Sequence, residues 1–397
     1  MPLFSETETT ITSVRVIGLT RTVPRIAEEP LKRFIGQKAN LIDITDVKAV
    51  VIDQGILEPI SVMIEDADGG SGKMLIVEVR EKWSIFPLPI FSAGTGGISF
   101  GLFFLNANVF GLNQQMAIGG MYGSDRWFIM GLYLAHPQRP GNFGWDISGS
   151  FRSGERRNSD EKDNTIRFFN ANSVEARGAL HYRISHSLSS ALSVSYMNVM
   201  LQHTETPILK PNSGAQFMQF GYELSARRSG WDGFFLSEES LSFGYSLFTD
   251  VTGSDSHLYH SVSFRGVYQK PLLSGLRLNI RSGGLFRPNA PVFLESDAGV
   301  AAVNILPGDF SARYYAGISL GAEQYLYRFS FGTVSLLGTW QMAYSNGPIL
   351  EDRFDYGVSA SLFFYMSRLA IPAMGFGVAY NIPANYFQFS FSIGISF

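Results

Sequence analysis

The chain has no cysteine among its 397 residues, which excludes a disulfide scaffold and is compatible with an oxidising envelope compartment. Charge is also scarce. Only 16% of residues are charged, the formal net charge is −3 and the pI is near 6.1, so nothing favours nucleic acid as a partner. No stretch holds the eighteen or so consecutive apolar residues that a spanning helix needs. The mean hydropathy is nevertheless +0.07, too high for a mostly surface-exposed soluble protein with so little charge. The enzyme motifs are missing as well. The six histidines form no H-E-x-x-H, and neither a Walker loop nor a G-x-S-x-G elbow is present. No enzymatic activity, catalytic residue, metal site or cofactor is therefore expected. Residues 1–10 lack both a basic and an apolar leader region. For a barrel that must be exported, this leads us to expect a mature chain with an added or retained methionine.

What the chain does have is alternation. Its last thirteen residues read N-Y-F-Q-F-S-F-S-I-G-I-S-F, with Phe387, Phe389, Phe391, Ile393, Ile395 and Phe397 at every second position. Side chains alternate across a strand, so one face is apolar and the other small or polar. Such a strand would template aggregation at a soluble sheet edge, but it suits a closed barrel with lipid outside and a polar lumen inside. From Trp83 onward about sixteen segments carry this pattern, with long polar connections mostly on one side. The charge run over residues 154–164 reads as a solvated loop, and R-R-S-G-W-D-G-F-F-L-S-E-E-S, over residues 227–240, as a longer turn on the opposite side. Glu175, Arg177, His181 and Arg183 alternate with apolar residues, as do Arg277, Asn279 and Arg281. Charge on the lipid face costs about 2–4 kcal/mol at the midplane, so these should point into the lumen.

The first eighty residues differ. A strand over residues 11–19 is followed by a helical pattern in which Pro24, Ile26, Leu31 and Phe34 precede Gly36. A second helix presents Val47, Val50, Val51 and Ile52 and ends at Gly55. Two strands follow, over residues 60–64 and 74–79. The order is β-α-α-β-β, and the expected boundaries are residues 1–82 for this module and 83–397 for the barrel.

One segment bears on how the barrel closes. The first barrel strand reads K-W-S-I-F-P-L-P-I-F, with Pro87 and Pro89 two residues apart. Alternate residues of a strand direct their backbone groups to the same neighbour, so both missing N–H donors lie on one side. If that side meets the last strand, near Gly394 and Phe397, the barrel has a weak lateral seam. If it meets the second strand, or if the prolines sit below the membrane where water satisfies the carbonyls, it has none.

The module resembles a POTRA domain, the periplasmic module of outer-membrane assembly and secretion proteins. The resemblance rests on V-R-V-I-G-L-T, D-I-T-D-V-K-A-V-V-I-D-Q-G-I-L and L-I-V-E-V-R-E-K. The whole chain resembles the bacterial surface antigen superfamily of outer-membrane protein assembly factors, which includes BamA- and TamA-like barrels, two-partner secretion transporters and patatin-linked barrels. Asn108, Phe110 and Gly111 stand in a turn like the family's N-[LV]-F-G. S-A-R-Y-Y resembles its V-R-G-[FY] motif, with Arg313 and Tyr315 in place and Ala312 and Tyr314 departing from it. The resemblance implies that Arg313 folds into the lumen beside an acidic residue, for which Glu323 is the candidate. The family's further aspartate has no match; Gln341 lies near its place. The implied fold is mainly β, a sixteen-stranded antiparallel transmembrane barrel after one α/β POTRA domain. The implied setting is the bacterial outer membrane, with the module in the periplasm. The implied function is insertion or translocation of polypeptides, and the implied partners are the lipid bilayer, unfolded or secreted polypeptide, and periplasmic accessory proteins. The alternative is a passive pore or an anchoring barrel.

Overall fold

A computed structural model describes residues 9–67, 72–94, 97–123, 126–137, 139–204, 214–231, 235–251, 258–288, 290–291, 294–297, 302–307, 310–346, 352–366 and 374–393. Strand β1 (Ile11–Ile17) leads into helix α1 (Pro24–Glu28), which tightens into a 3₁₀ segment over Glu29–Phe34. The single helix expected here is broken at Pro30, which has no N–H to continue an α ladder. Ile26, Leu31 and Phe34 are still buried on one side. Helix α2 (Ile44–Asp53) is capped by Asp43, whose carboxylate accepts from the Thr45 N–H at 2.8 Å. Gly55 leaves it with φ 77°, a left-handed exit that glycine accepts without strain. Strands β2 (Leu57–Asp66) and β3 (Lys73–Glu81) complete a sheet ordered β1-β3-β2, with β1 parallel and β2 antiparallel to β3. The core of this layer is aliphatic, built from Ile11, Leu31, Val47, Val51, Leu75 and Val77.

Eleven strands follow: β4 (Ile85–Gly94), β5 (Gly97–Val109), β6 (Gln114–Gly123), β7 (Arg126–Ala135), β8 (Phe143–Ser159), β9 (Thr165–Arg183), β10 (Leu188–Thr204), β11 (Ala215–Trp231), β12 (Leu236–Asp250), β13 (Leu258–Leu273) and β14 (Leu276–Phe286). A long connection then carries the two-residue strands β15 (Ser296–Asp297) and β16 (Ser311–Ala312). The chain finishes with β17 (Tyr314–Phe329), β18 (Gly332–Asn346), β19 (Arg353–Met366), β20 (Met374–Asn381) and β21 (Tyr386–Ile393). Except for β15 and β16, these form one sixteen-stranded sheet in which every neighbour is the next strand in the chain, antiparallel throughout. Among the described residues β4 and β21 share no ladder, so the sheet is not closed there.

Contacts between strands remote in that order show that the sheet curls round an interior. Glu161, between β8 and β9, pairs with Arg353 on β19 at 2.8 Å, and Phe235 beside β12 stacks edge-on against Tyr365 of β19. The outward positions are apolar: Phe104, Ile118, Ile129, Ile147 and Leu192 are each more than half exposed. The inward positions alternate with these and carry most of the sheet's polar and small residues, together with buried aromatics such as Phe217, Phe363 and Tyr365.

Two expected loops are largely strand. β8 and β9 stay paired through Asn158 and Arg167, so the charge run over residues 154–164 is mostly ladder rather than solvated loop. Its charges turn inward: Arg157 pairs with Asp163 at 2.7 Å, and Glu161 is buried on Arg353. Likewise β11 and β12 pair up to Trp231 and Leu236, shortening the long turn read between them. In both places cross-strand bonds satisfy backbone that a free loop would leave to water.

Candidate functional site

The edge of β4 can be phased from its pairing. The Ala107 N–H donates to the Ser84 carbonyl at 2.8 Å, in the register that pairs Ile85 with Asn106 and runs unshifted to Gly94. In an antiparallel pair, residues that exchange bonds with the partner alternate with residues whose backbone groups point away from it. Ser84, Phe86 and Leu88 are therefore the bonded set, and Ile85, Pro87 and Pro89 turn their backbone groups away from β5. The two missing donors lie on the free edge of β4, the side on which β21 stands in a closed barrel. Both prolines are exposed outward, while Phe86 is buried inward. On β21, Phe387 and Phe389 are exposed, Phe389 to 84%. Gly394 and Phe397, the other expected seam residues, lie outside the described residues.

The lumen is crossed by the connection between β14 and β17. Val303, Ile305, Leu306 and Phe310 pack with Tyr315 against Leu285, Ala343 and Ala379, while Ala290 and Leu294 reach Phe217 and Phe248 on β11 and β12. Apolar burial holds the connection at both ends, and polar contacts fix its register. Gln341 donates to the Asn304 side-chain carbonyl at 2.6 Å and accepts the Asn304 N–H at 2.8 Å. Gln341, in the neighbourhood of the absent aspartate, thus grips the connection without charge. Glu295 is buried and bonds Arg167 of β9 and Ser311, with Arg313 at 3.5 Å.

Arg313 therefore stands beside Glu295, and the expected Arg313–Glu323 pair does not form. Glu323 belongs to Arg277, its direct cross-strand partner between β14 and β17. Arg277 Nε and Nη2 reach Glu323 Oε2 at 2.9 and 2.7 Å. Tyr365 donates to Oε1 at 2.8 Å, Ser335 donates to the same oxygen, and the Arg277 guanidinium lies 4.6 Å from the Phe235 ring centre. Adjacent inward positions on neighbouring strands meet without any loop having to bend, and this short-range geometry takes the carboxylate. Arg281 is buried two inward positions further along and donates to Asn279, which lies between it and Arg277, at 3.1 Å.

On the inner face of β9, Arg177 and His181 both reach the buried Asp146 of β8 at 2.6 Å. Glu175 and Arg183 stand at the same alternation on β9, opposite Ser150 of β8 and Ser189 of β10 respectively. Arg167, Glu295, Asp146 and Phe235 escaped the sequence reading. The available signal was a lone charge or aromatic at an inward position, as with Arg167 between Ile166 and Phe168.

A second constellation joins module to barrel. The Glu81 carboxylate, at the end of β3, accepts the N–H groups of Thr20, Arg21 and Thr22 at 3.0, 3.0 and 2.7 Å and the Thr20 hydroxyl at 2.8 Å. Burial alone would raise this carboxyl, but the convergent donors outweigh it and hold it at about 2. The Thr22 hydroxyl accepts from Asn108 Nδ2 at 2.9 Å, and the Val23 N–H donates to the Gly111 carbonyl at 2.9 Å. Gly111 has φ 72°, and a Cβ there would lie 2.2 Å from the Arg21 carbonyl oxygen. The turn between β5 and β6 is thus the barrel's half of a clamp on the module. Phe110, beside it, is 81% exposed.

No protein-family model matches the sequence, and no curated protein does. Solved structures do. BamA from Haemophilus ducreyi lacking POTRA domains 1-3 is 14% identical with a TM-score of 0.55, over 96% of this chain and 84% of that one. CdiB from Escherichia coli is 11% identical with a TM-score of 0.63, over 97% and 75%. CdiB from Acinetobacter baumannii is 12% identical with a TM-score of 0.60, over 97% and 73%. At these identities the likeness is one of fold. The sixteen-stranded antiparallel sheet expected from the sequence is present, in a mainly β fold similar to that of these BamA and CdiB structures.

Proposed function

We propose that this chain is an outer-membrane protein that inserts or translocates other polypeptides, releasing them sideways between β4 and β21. The observation that carries the reading is the phase of β4, which leaves Pro87 and Pro89 without donors on the edge that β21 would have to join. A net hydrogen bond is worth only about 0.5–1.5 kcal/mol, but a carbonyl left unpaired in lipid adds to the loss. That junction is weaker than any other in the sheet, and an incoming strand with its own N–H groups can pair there instead. The βααββ module, in the role of a POTRA domain over residues 1–82, offers β2 as an open sheet edge for extended substrate. The likeness to BamA and CdiB supports the same reading. The inward connection between β14 and β17 argues against a standing open pore, because it fills the space that such a pore would need.

The test is a disulfide between β4 and β21 in the otherwise cysteine-free chain. Cysteines paired across the two edges should stop client insertion in proteoliposomes when oxidised, and reduction should restore it. Full activity with the seam locked would leave a central path and end the lateral reading.

A further inference from the structure

A chamber of about 1560 Å³ lies between the module and the mouth of the barrel. This exceeds the few hundred to one thousand Å³ of a small-molecule pocket. Helix α2 lines one side, and the turns after β7, β9 and β11 line the other. Its carboxylates are already engaged. Glu29 pairs with Lys32 and Arg139 at 2.6 and 2.9 Å, Asp46 with Arg33 at 3.2 Å and Glu58 with Arg80 at 3.6 Å. Asp53 accepts from Ser229 at 2.7 Å, a bond that ties α2 to β11. The cations are not matched in the same way. Among the described residues Lys48, Arg183 and Arg228 have no ion-pair partner, although the whole chain carries a net charge of −3. His136, which lines the chamber, is held below its ordinary value by desolvation between module and barrel and by His181, Arg183 and Arg227 around it.

The surplus continues upward. Arg183, His181 and Arg177 occupy inward positions of β9, leading from the chamber into the lumen. Asp146 answers two of them; Glu175 and Glu223 are the other carboxylates facing inward on β9 and β11. Cations set on α2, β9 and β11 cannot all be neutralised by one compact ion. They suit negative charges strung along an extended chain, and with low-dielectric walls they raise the local concentration of such a chain.

We infer that the chamber receives an acidic segment of extended polypeptide between module and lumen. The inference rests on the polypeptide-handling function and adds the charge of the segment that is received.

The test uses the full chain in nanodiscs of zwitterionic lipid. Two fluorescent peptides of equal length differ only in that aspartate and glutamate in one are replaced by asparagine and glutamine in the other. Anisotropy should show the acidic peptide bound roughly tenfold or more tightly, with the difference shrinking as salt rises. A photo-crosslinker replacing His186, which lines the chamber, should capture it. The variant K48E/R183E/R228E, checked for folding by heat-modifiable migration, should lose the preference. Equal binding of the two peptides, or capture of the acidic peptide only at sites away from the chamber, overturns the inference. An insertion assay with a client lacking acidic runs, on the same preparation, separates the two readings. Activity there with equal peptide binding leaves the polypeptide function standing and removes only its charge preference. No activity and no binding of either peptide removes both.

Discussion

Two carboxylates in this chain do opposite things with their surroundings. Glu81 sits near water and gathers donors from residues 20–22, while Glu323 is fully buried and relies on Arg277 and Tyr365. For Glu81 the folded-state value of about 2 lies below its ordinary 4.5. Its contribution to stability is therefore complete above about pH 4.5 and is lost as pH falls towards 2. Glu81→Gln should cost about 1 kcal/mol at neutral pH, discounted for solvent access, and should flatten that acid dependence in native-state proteolysis of the module. For the buried pair, Arg277→Ala alone should destabilise by about 3–5 kcal/mol because Glu323 keeps its charge without an answer. Replacing both, as Arg277→Met with Glu323→Gln, should be much milder, and heat-modifiable migration in a double-mutant cycle reads the coupling. A strongly additive result would mean the two residues act independently. This pair was legible in principle, since both residues stand at inward positions of their strands. It was missed because alignment of β14 with β17 depends on where each strand begins, which alternation alone leaves open by a whole period. Arg313 stands out by motif resemblance, and a motif names a residue without naming its neighbours.

At the level of elements, alternation was a strong guide to the strands and a poor guide to where they stop. Sixteen strands stand where about sixteen were read, because a period of two persists along each of them. The ends over residues 154–164 and 227–240 were misjudged, since polar residues continue a ladder when they pair or turn inward, and composition alone describes them as loop. The broken first helix has the same lesson in reverse: Pro30 was in plain view, yet the spacing of Ile26, Leu31 and Phe34 survives a change from α to 3₁₀. The facing of β21 gives the clearest element-scale test. Phe389 points outward and Ser390 inward, where Ser390 lies near Asn304 of the crossing connection. Phe389→Lys should cost about 2–4 kcal/mol if it meets the middle of a bilayer, whereas Ser390→Asn should be mild. Folding yield into liposomes measures both, and a more severe serine variant would reverse the facing.

For the molecule as a whole, the clamp decides whether module and barrel move as one. Residues 82–84 are a short link, and Gly111 adds a second attachment that a side chain would break. Gly111→Val places carbon within 2.2 Å of the Arg21 carbonyl and forces a β-branched residue into φ 72°. The expected outcome is a freely reorienting module and faster protease cleavage at residues 82–84, with the heat-modifiable barrel intact. Unchanged cleavage would mean that contacts such as Asp53 with Ser229 hold the module without the clamp.

The connection that crosses the lumen also bears on the order in which the protein comes together. Every ladder in the large sheet joins strands consecutive within it, so apart from the long connection between β14 and β17 the sheet can grow by hairpins with mostly short loops, whose closure costs little entropy. The bond between Arg167 and Glu295 spans 128 residues. It can form only after the wall from β9 to β14 stands around the space it crosses. A chain halted before that step would have its strands paired and its interior empty, so the buried ion pair marks the end of assembly, and its two residues should influence the rate of unfolding far more than the rate of folding.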